Sequence, residues 1–343
     1  MCSVTLCRPA REYAPQVLEQ IVRQILAQAD RPVALSFWEV EPSSGSLSRV
    51  CRVMEALQAG GKGGQIHIRV LTTGKSLKER HARCLARNGA VVGLLPCGEG
   101  AVGAWGADDA FGEPAAAYRQ TGVAAQLLAE QQVPFYLAES VTPFLARAVR
   151  EIYGFFKASG WNYQSYRFDA GWARTAVSEI AEIYRDFLFA LFQLWWEDRM
   201  GGSAVYILEF DRLAGLLKGV LPSDCYENGR RRSQNLIAPD GRVYPEDDAL
   251  LSGEALGNIV EMDLPSMEKA YFQQGVTAWK GLEASPACRG CRWAILCGGN
   301  WDGWRGERKM LCPAYREFYE FAVPRLLDLL REIGKSFPVA GTA

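Results

Sequence analysis

Between residues 15 and 168, short apolar runs alternate with segments of helical period, and this alternation constrains the fold of the 343-residue chain most tightly. PQVLEQIVRQILAQA (15–29) carries apolar side chains at 18, 21, 22, 25 and 26, with Pro15 suited to a first helical turn. VALSFW (33–38) reads as a buried strand, SLSRVCRVMEALQAG (46–60) as a helix, and IHIRVL (66–71) as a strand again. SLKERHARCLARNG (76–89) places Ser76 and Glu79 at capping-box spacing and ends at Gly89. AVVGLL (90–95), a helix over 114–132, VPFYLA (133–138), a helix launched by Thr142 and Pro143, and WNYQSYRF (161–168) complete the pattern. Strands separated by single helices form parallel βαβ units with right-handed crossovers. The expected product is an open or partly closed α/β barrel. Its first predicted element is a helix, so the strand that would normally precede that helix is expected to be missing.

After about residue 171 the pattern changes to a long apolar helix (176–200) containing Trp195 and Trp196, then AVYILEFDRLAGLLKGV (204–220), then turn-rich sequence. Aromatic side chains at that density are core material. A further amphipathic helix covers 315–334, and SFPVAGTA reads as a loose tail. With 49% hydrophobic and 22% charged residues the chain buries a proper core, and a net charge of −1 gives no footprint for nucleic acid or a membrane surface. No apolar run reaches the length of a membrane span, and MCSVTLCRPAREY lacks the apolar stretch of a signal peptide, so the cytoplasm is the expected location.

In a reducing compartment, a tight group among ten cysteines points to metal or catalysis rather than disulfides. There are only two histidines, and both have structural readings: His67 alternates in a strand, and His81 sits on the charged face of a predicted helix. Cys51 and Cys84 fall on apolar helix positions and belong to the core. Cys97, in LLPCGEG, follows the third predicted strand, at the strand end where α/β active sites gather. It is a candidate substrate-facing thiol.

The spacing Cys288-x2-Cys291-x5-Cys297-x14-Cys312 gathers four thiols, with Gly290, Gly298 and Gly299 supplying backbone freedom. Four thiolates suit tetrahedral zinc or a [4Fe–4S] cube, and spacing alone leaves both open. Trp293, Trp301 and Trp304 could shield a cube. Upstream, LIAPDGRVYP is a hairpin signal, with Pro239-Asp240-Gly241 at the turn.

Together these segments resemble the SPASM domain, the auxiliary-cluster module of radical S-adenosylmethionine enzymes that mature peptides and proteins. Cys225, fifteen residues, Gly241, then the distal cysteines and the CGG after Cys297 carry the likeness over roughly 221–320. It implies a partial (β/α)6-type barrel over 1–200, a connecting segment 201–220, a SPASM-like iron–sulfur domain over 221–335 and a tail 336–343. It also implies one auxiliary [4Fe–4S] cluster on Cys288, Cys291, Cys297 and Cys312, and a peptide or protein substrate. Members with two clusters have cysteines where this chain has Glu246 and Trp301, leaving Cys225 alone at the first auxiliary site.

In that family the strand before the first helix ends in a Cys-x3-Cys-x2-Cys loop, whose three thiolates hold the cluster that binds and cleaves S-adenosylmethionine. No such triplet exists here. The Gly-Gly-Glu-Pro that touches the cofactor reads Glu39-Val40-Glu41-Pro42, which leaves Glu41 as a weakened cofactor contact. Two explanations stay open: true degeneration, or a reading frame assigned to an internal methionine. In the second, Cys2 is the third cluster ligand. As written, the chain is not expected to generate the radical. It acts either as a maturase-type iron–sulfur protein, or as an inactive partner that binds a precursor peptide or an active maturase, or as a zinc-stabilised binding module.

Overall fold

The computed structural model describes residues 2–6, 13–38, 46–75, 77–96, 118–168, 177–219, 234–245, 255–273, 290–297 and 308–336. In chain order the elements are β1 (Cys2–Leu6), α1 (Pro15–Gln28), β2 (Val33–Phe37), α2 (Ser46–Ala59), β3 (Ile66–Thr72), α3 (Glu79–Arg87), β4 (Val91–Leu94), α4 (Arg119–Glu130) and β5 (Phe135–Val141). There follow α5 (Pro143–Arg147), α6 (Val149–Ala158), β6 (Tyr163–Phe168), α7 (Val177–Met200), β7 (Tyr206–Ile207) and α8 (Leu208–Leu217). The last described elements are β8 (Gln234–Ile237), β9 (Arg242–Tyr244), β10 (Gly257–Asn258), α9 (Leu264–Gln273), α10 (Ala294–Cys297) and α11 (Arg308–Ser336).

Contacts divide the chain into one unit of residues 1–139 and 223–280, and a second of 140–222 and 281–343. The units do not follow the division expected near residue 220. The reason is a strand pairing: β8 lies parallel to β1, with Ser3 opposite Gln234 and Leu6 opposite Ile237. The hairpin segment therefore extends the sheet of the first unit, whose order runs β10-β9-β8-β1-β2-β3-β4-β5.

The expected α/β architecture is present, with one correction. The strand expected to be missing is there: β1 pairs parallel with β2, Cys2 opposite Val33 and Leu6 opposite Phe37. Its signal was a period of two, with Val4 and Leu6 at 0% and 3% exposure. A run of only five residues among Cys and Ser is easy to pass over.

Register places Val4, Leu6, Leu35, Phe37, Ile68, Val70, Leu94 and Leu137 on one face, all nearly inaccessible. Val17, Ile21 and Ile25 of α1 join this core. Gln24, on the same helix, fastens the segment before α9: its amide donates to the carbonyls of Ile259 (2.9 Å) and Met262 (3.1 Å), and its oxygen accepts from the Leu264 amide (2.8 Å). The β8–β9 hairpin turns where the sequence indicated. Gly241 has φ +87°, and a Cβ there would stand 2.7 Å from Asn258 Oδ1, so the turn needs glycine.

α3 begins at Glu79, with Lys78 extended as its N-cap, and Ser76 lies outside the described residues. His81 corrects the sequence reading: it is 4% exposed, and its Nδ1 accepts the Lys78 amide at 3.3 Å. Burial, with Arg80 and Lys78 alongside, holds its imidazole below the ordinary range. Cys51 and Cys84 are buried as expected, and burial pushes both thiols up. Near the end of β5, Glu139 is 3% exposed; Tyr118 hydrogen-bonds its carboxyl, while Oε1 has no partner among the described residues. Burial outweighs the Tyr118 contact and pushes this carboxyl up to about 8.

In the second unit α7 and α11 pack through aromatic side chains: Phe192 meets Phe318 at 5.7 Å and Phe189 stacks on Phe321 at 4.6 Å between ring centroids. Trp195 is core, at 2% exposure, and Trp196 is half-buried. Thr142 caps α5 as expected, its hydroxyl accepting from the Leu145 amide at 3.2 Å, but the helix breaks at Ala148. The segment over 204–220 opens with β7, parallel to β6, where Tyr163 and Tyr206 stack at 4.8 Å. Among the described residues no helix is long and apolar enough to cross a membrane.

Two measurements check this packing. Gln24→Ala leaves partly buried backbone groups unsatisfied and should cost about 1–3 kcal/mol in a denaturant titration. Glu139 binds a proton in the folded state over the window from 4.5, its ordinary value, to about 8, where the unfolded chain has released it. Stability should therefore fall as pH rises through that window, by at most about 1.4 kcal/mol per pH unit from this one group. Glu139→Gln should flatten the slope.

Candidate cluster and cofactor sites

The described part of the cysteine module lies in the second unit. Cys291 opens a turn in which its carbonyl accepts the Ala294 amide (3.1 Å), and the carbonyl of Trp293 accepts the Cys297 amide (2.8 Å) at the end of α10. This short piece docks on α11. Trp293 packs on Tyr319 with centroids 5.9 Å apart, and the Arg292 guanidinium lies 4.5 Å over the Trp293 ring and 3.1 Å from Glu320. Tyr319 stands two helical turns beyond Cys312, so both share one face of α11. The turn bearing Cys291 and Cys297 thus rests against the face that carries Cys312. Trp293 Nε1 is buried and has no partner among the described residues.

All three cysteines are half-buried thiols, a donor set suited to a thiolate-bound metal or cluster. Among the described residues, however, no three His, Cys, Asp or Glu side chains come together as a metal site. Cys291, Cys297 and Cys312 do not preform the centre by themselves. Cys288 lies outside the described residues, as do Cys225, Glu246, Trp301 and Trp304.

At the other candidate site the finding of β1 changes the reading. Cys2 is inside the strand, opposite Val33, and so at the end remote from the loop that follows Leu6. Four residues therefore separate Cys2 from the loop that follows the strand, and Cys7 is the cysteine that stands next after it. Between β1 and α1 the sequence is Cys7-Arg8-Pro9-Ala10-Arg11-Glu12-Tyr13-Ala14. Its Cys-x3-Cys-x2-Cys positions are held by Cys7, Arg11 and Ala14: one thiol, a guanidinium and a methyl group. Ala14 is the residue before α1 and makes no side-chain cap. Both flanks are fastened. The Trp38 amide donates to the Leu6 carbonyl (3.1 Å), and the buried Tyr13 hydroxyl donates to the Ile237 carbonyl (2.8 Å). Glu41 and Cys97 lie outside the described residues.

The second face of the sheet is buried at Thr5, Leu71, Tyr136 and Leu236 but exposed in one patch. Ala34 and Ser36 on β2 are half-buried, and His67 and Arg69 on β3 are exposed. Sequence reasoning took His67 as an ordinary strand residue. Arg69 was passed over, although its alternation with Ile68 and Val70 was the available signal.

No family model matches the chain. It is 28% identical over 334 residues to the cysteine-type anaerobic sulfatase-maturating enzyme of Clostridium perfringens (strain 13 / Type A), covering 93% of this chain and 89% of that protein. A serine-type anaerobic sulfatase-maturating enzyme of Klebsiella aerogenes is 23% identical over 335 residues, covering 95% and 81%. Among solved structures, native anSMEcpe with bound AdoMet superposes with a TM-score of 0.79 at 23% identity, over 97% of this chain and 100% of the other. Streptococcus suis SuiB bound to S-adenosylmethionine superposes at 0.55 and 12% identity, over 85% and 71%. Along almost its whole length the chain is thus similar to anaerobic sulfatase-maturating enzymes, and it shares the fold of the solved S-adenosylmethionine-binding maturases.

Proposed function

We propose that this protein takes part in maturing a peptide or protein, carries one [4Fe–4S] cluster on Cys288, Cys291, Cys297 and Cys312, and does not itself generate the 5′-deoxyadenosyl radical. The observation that carries this reading is the sequence between β1 and α1. With the strand in place, the loop after it offers Cys7 alone where a radical-generating cluster needs three thiolates. Glu39 and Val40, in place of two glycines, also crowd the position where cofactor must approach backbone.

Peptide binding is supported by the solved neighbours: native anSMEcpe is known with AdoMet and the Cp18Cys peptide, and SuiB with the precursor peptide SuiA. A bound cluster of this kind supplies one-electron transfer close to a substrate. The chain's own residues hold the frame for it. Arg292 and Trp293 fix the turn of Cys291 and Cys297 against α11, so side-chain contacts join the two elements that present thiols. An active radical-generating maturase is the partner this reading calls for.

Protein purified and reconstituted without oxygen should be brown, absorb near 400 nm and hold about four irons and four sulfides per chain, with Cys291→Ala and Cys312→Ala each losing iron. A colourless protein holding one zinc would sink the redox reading. Incubated with S-adenosylmethionine and a strong reductant, the protein should release no 5′-deoxyadenosine above the no-protein blank. Release over many turnovers would show that it makes the radical after all. In a reaction with an active maturase and its peptide, omitting this chain should lower the yield of modified peptide.

A further inference from the structure

We propose that the exposed patch on the second face of the first unit's sheet binds an oxyanion, a carboxylate or phosphate, at Arg69 with His67 and Ser36 beside it. Parallel sheets are normally covered on both faces, so their inner strands read as unbroken apolar runs. β3 departs from this. It lies between β2 and β4, yet His67 and Arg69 both point to one face and are exposed there. Neither makes a hydrogen bond or ion pair with another described residue, and exposed Val91, opposite Arg69, leaves that side open.

The register builds the surroundings. Thr5, Ser36 and Arg69 form one row across β1, β2 and β3, and Ser3, Ala34 and His67 form the row below. The half-buried Ser36 therefore neighbours Arg69 on the β2 side, with Thr5 buried beyond it, and the small Ala34 stands beside His67. The described strand positions on this face, from β8 to β5, include no Asp or Glu. A guanidinium with a planar fork of donors, a neighbouring imidazole and a hydroxyl, with no internal counter-charge, is complementary to an oxyanion. The site lies toward the N-terminal ends of the strands. The candidate cofactor loop lies beyond the opposite end, after Leu6 and Phe37, so the two are separate places.

The anion can be free or can be borne by the bound peptide, and only the second case rests on the function proposed above. His67 and His81 are the only two histidines, which gives a direct readout. With isotope-labelled histidine in the intact protein, phosphate and acetate are titrated at constant ionic strength. A short Gly-Ser peptide with a free terminal carboxylate is then compared with its terminal amide. The His67 ring signal should move saturably while buried His81 stays still, and Arg69→Gln should weaken the response about tenfold or more, the loss of one charge-assisted contact. Ser36→Ala should weaken it less. A response to phosphate or acetate identifies a free anion; a response to the acid peptide but not to its amide or the small anions identifies a peptide-borne one. If His67 does not respond to any probe, or responds equally in Arg69→Gln, the site does not exist. An unmoved His81 signal shows that the variant is folded. Iron content and nucleoside release do not depend on this site, so its failure leaves the function proposed above standing.

Discussion

β1 is held on both sides: parallel to β2 through Leu6 and Phe37, and parallel to β8 through Leu6 and Ile237. This double pairing is the constraint on which the first unit depends. It joins sequence more than two hundred residues apart, and it covers the edge that β1 would otherwise expose. It also fixes where the cofactor loop must start. Once Leu6 is pinned by the Trp38 amide and Tyr13 by the Ile237 carbonyl, the chain between them has two anchored ends, whatever its side chains are.

Much of the fold was legible from local pattern. β2, β3, β4 and β5 are apolar runs bounded by helices of clear period, and the hairpin turn is written in Pro239-Asp240-Gly241. What could not be read depends on distance along the chain. Nothing local in Gln234–Ile237 says that it will lie beside Ser3–Leu6, so that pairing could not be read from the sequence. His81 failed for a related reason. Its neighbours Arg80 and Arg83 make the segment look solvated, but its ring turns back to accept the Lys78 amide and is buried there.

The sites were legible as chemistry more than as geometry. The distal cysteine spacing named its residues, and the structure adds why they approach: Trp293 and Arg292 seat one pair on the helix that carries the third. The expectation for Cys2 rested on the absence of a strand. That strand is built from Cys2 itself, opposite Val33, and four residues separate it from the loop beyond Leu6.

The two candidate sites rest on different interactions. Strand pairing, an apolar core and two backbone clasps hold the barrel end, and none of these interactions needs a metal. Arg11 and Ala14 stand where a Cys-x3-Cys-x2-Cys spacing counted from Cys7 would place thiols. In the distal module the described contacts are of another kind: Trp293 on Tyr319 and Arg292 on Glu320 seat the turn of Cys291 and Cys297 on the helix that carries Cys312. The described contacts thus account for the frame around both candidate sites, and the function proposed above rests on the cysteine spacing and on the sequence that follows β1.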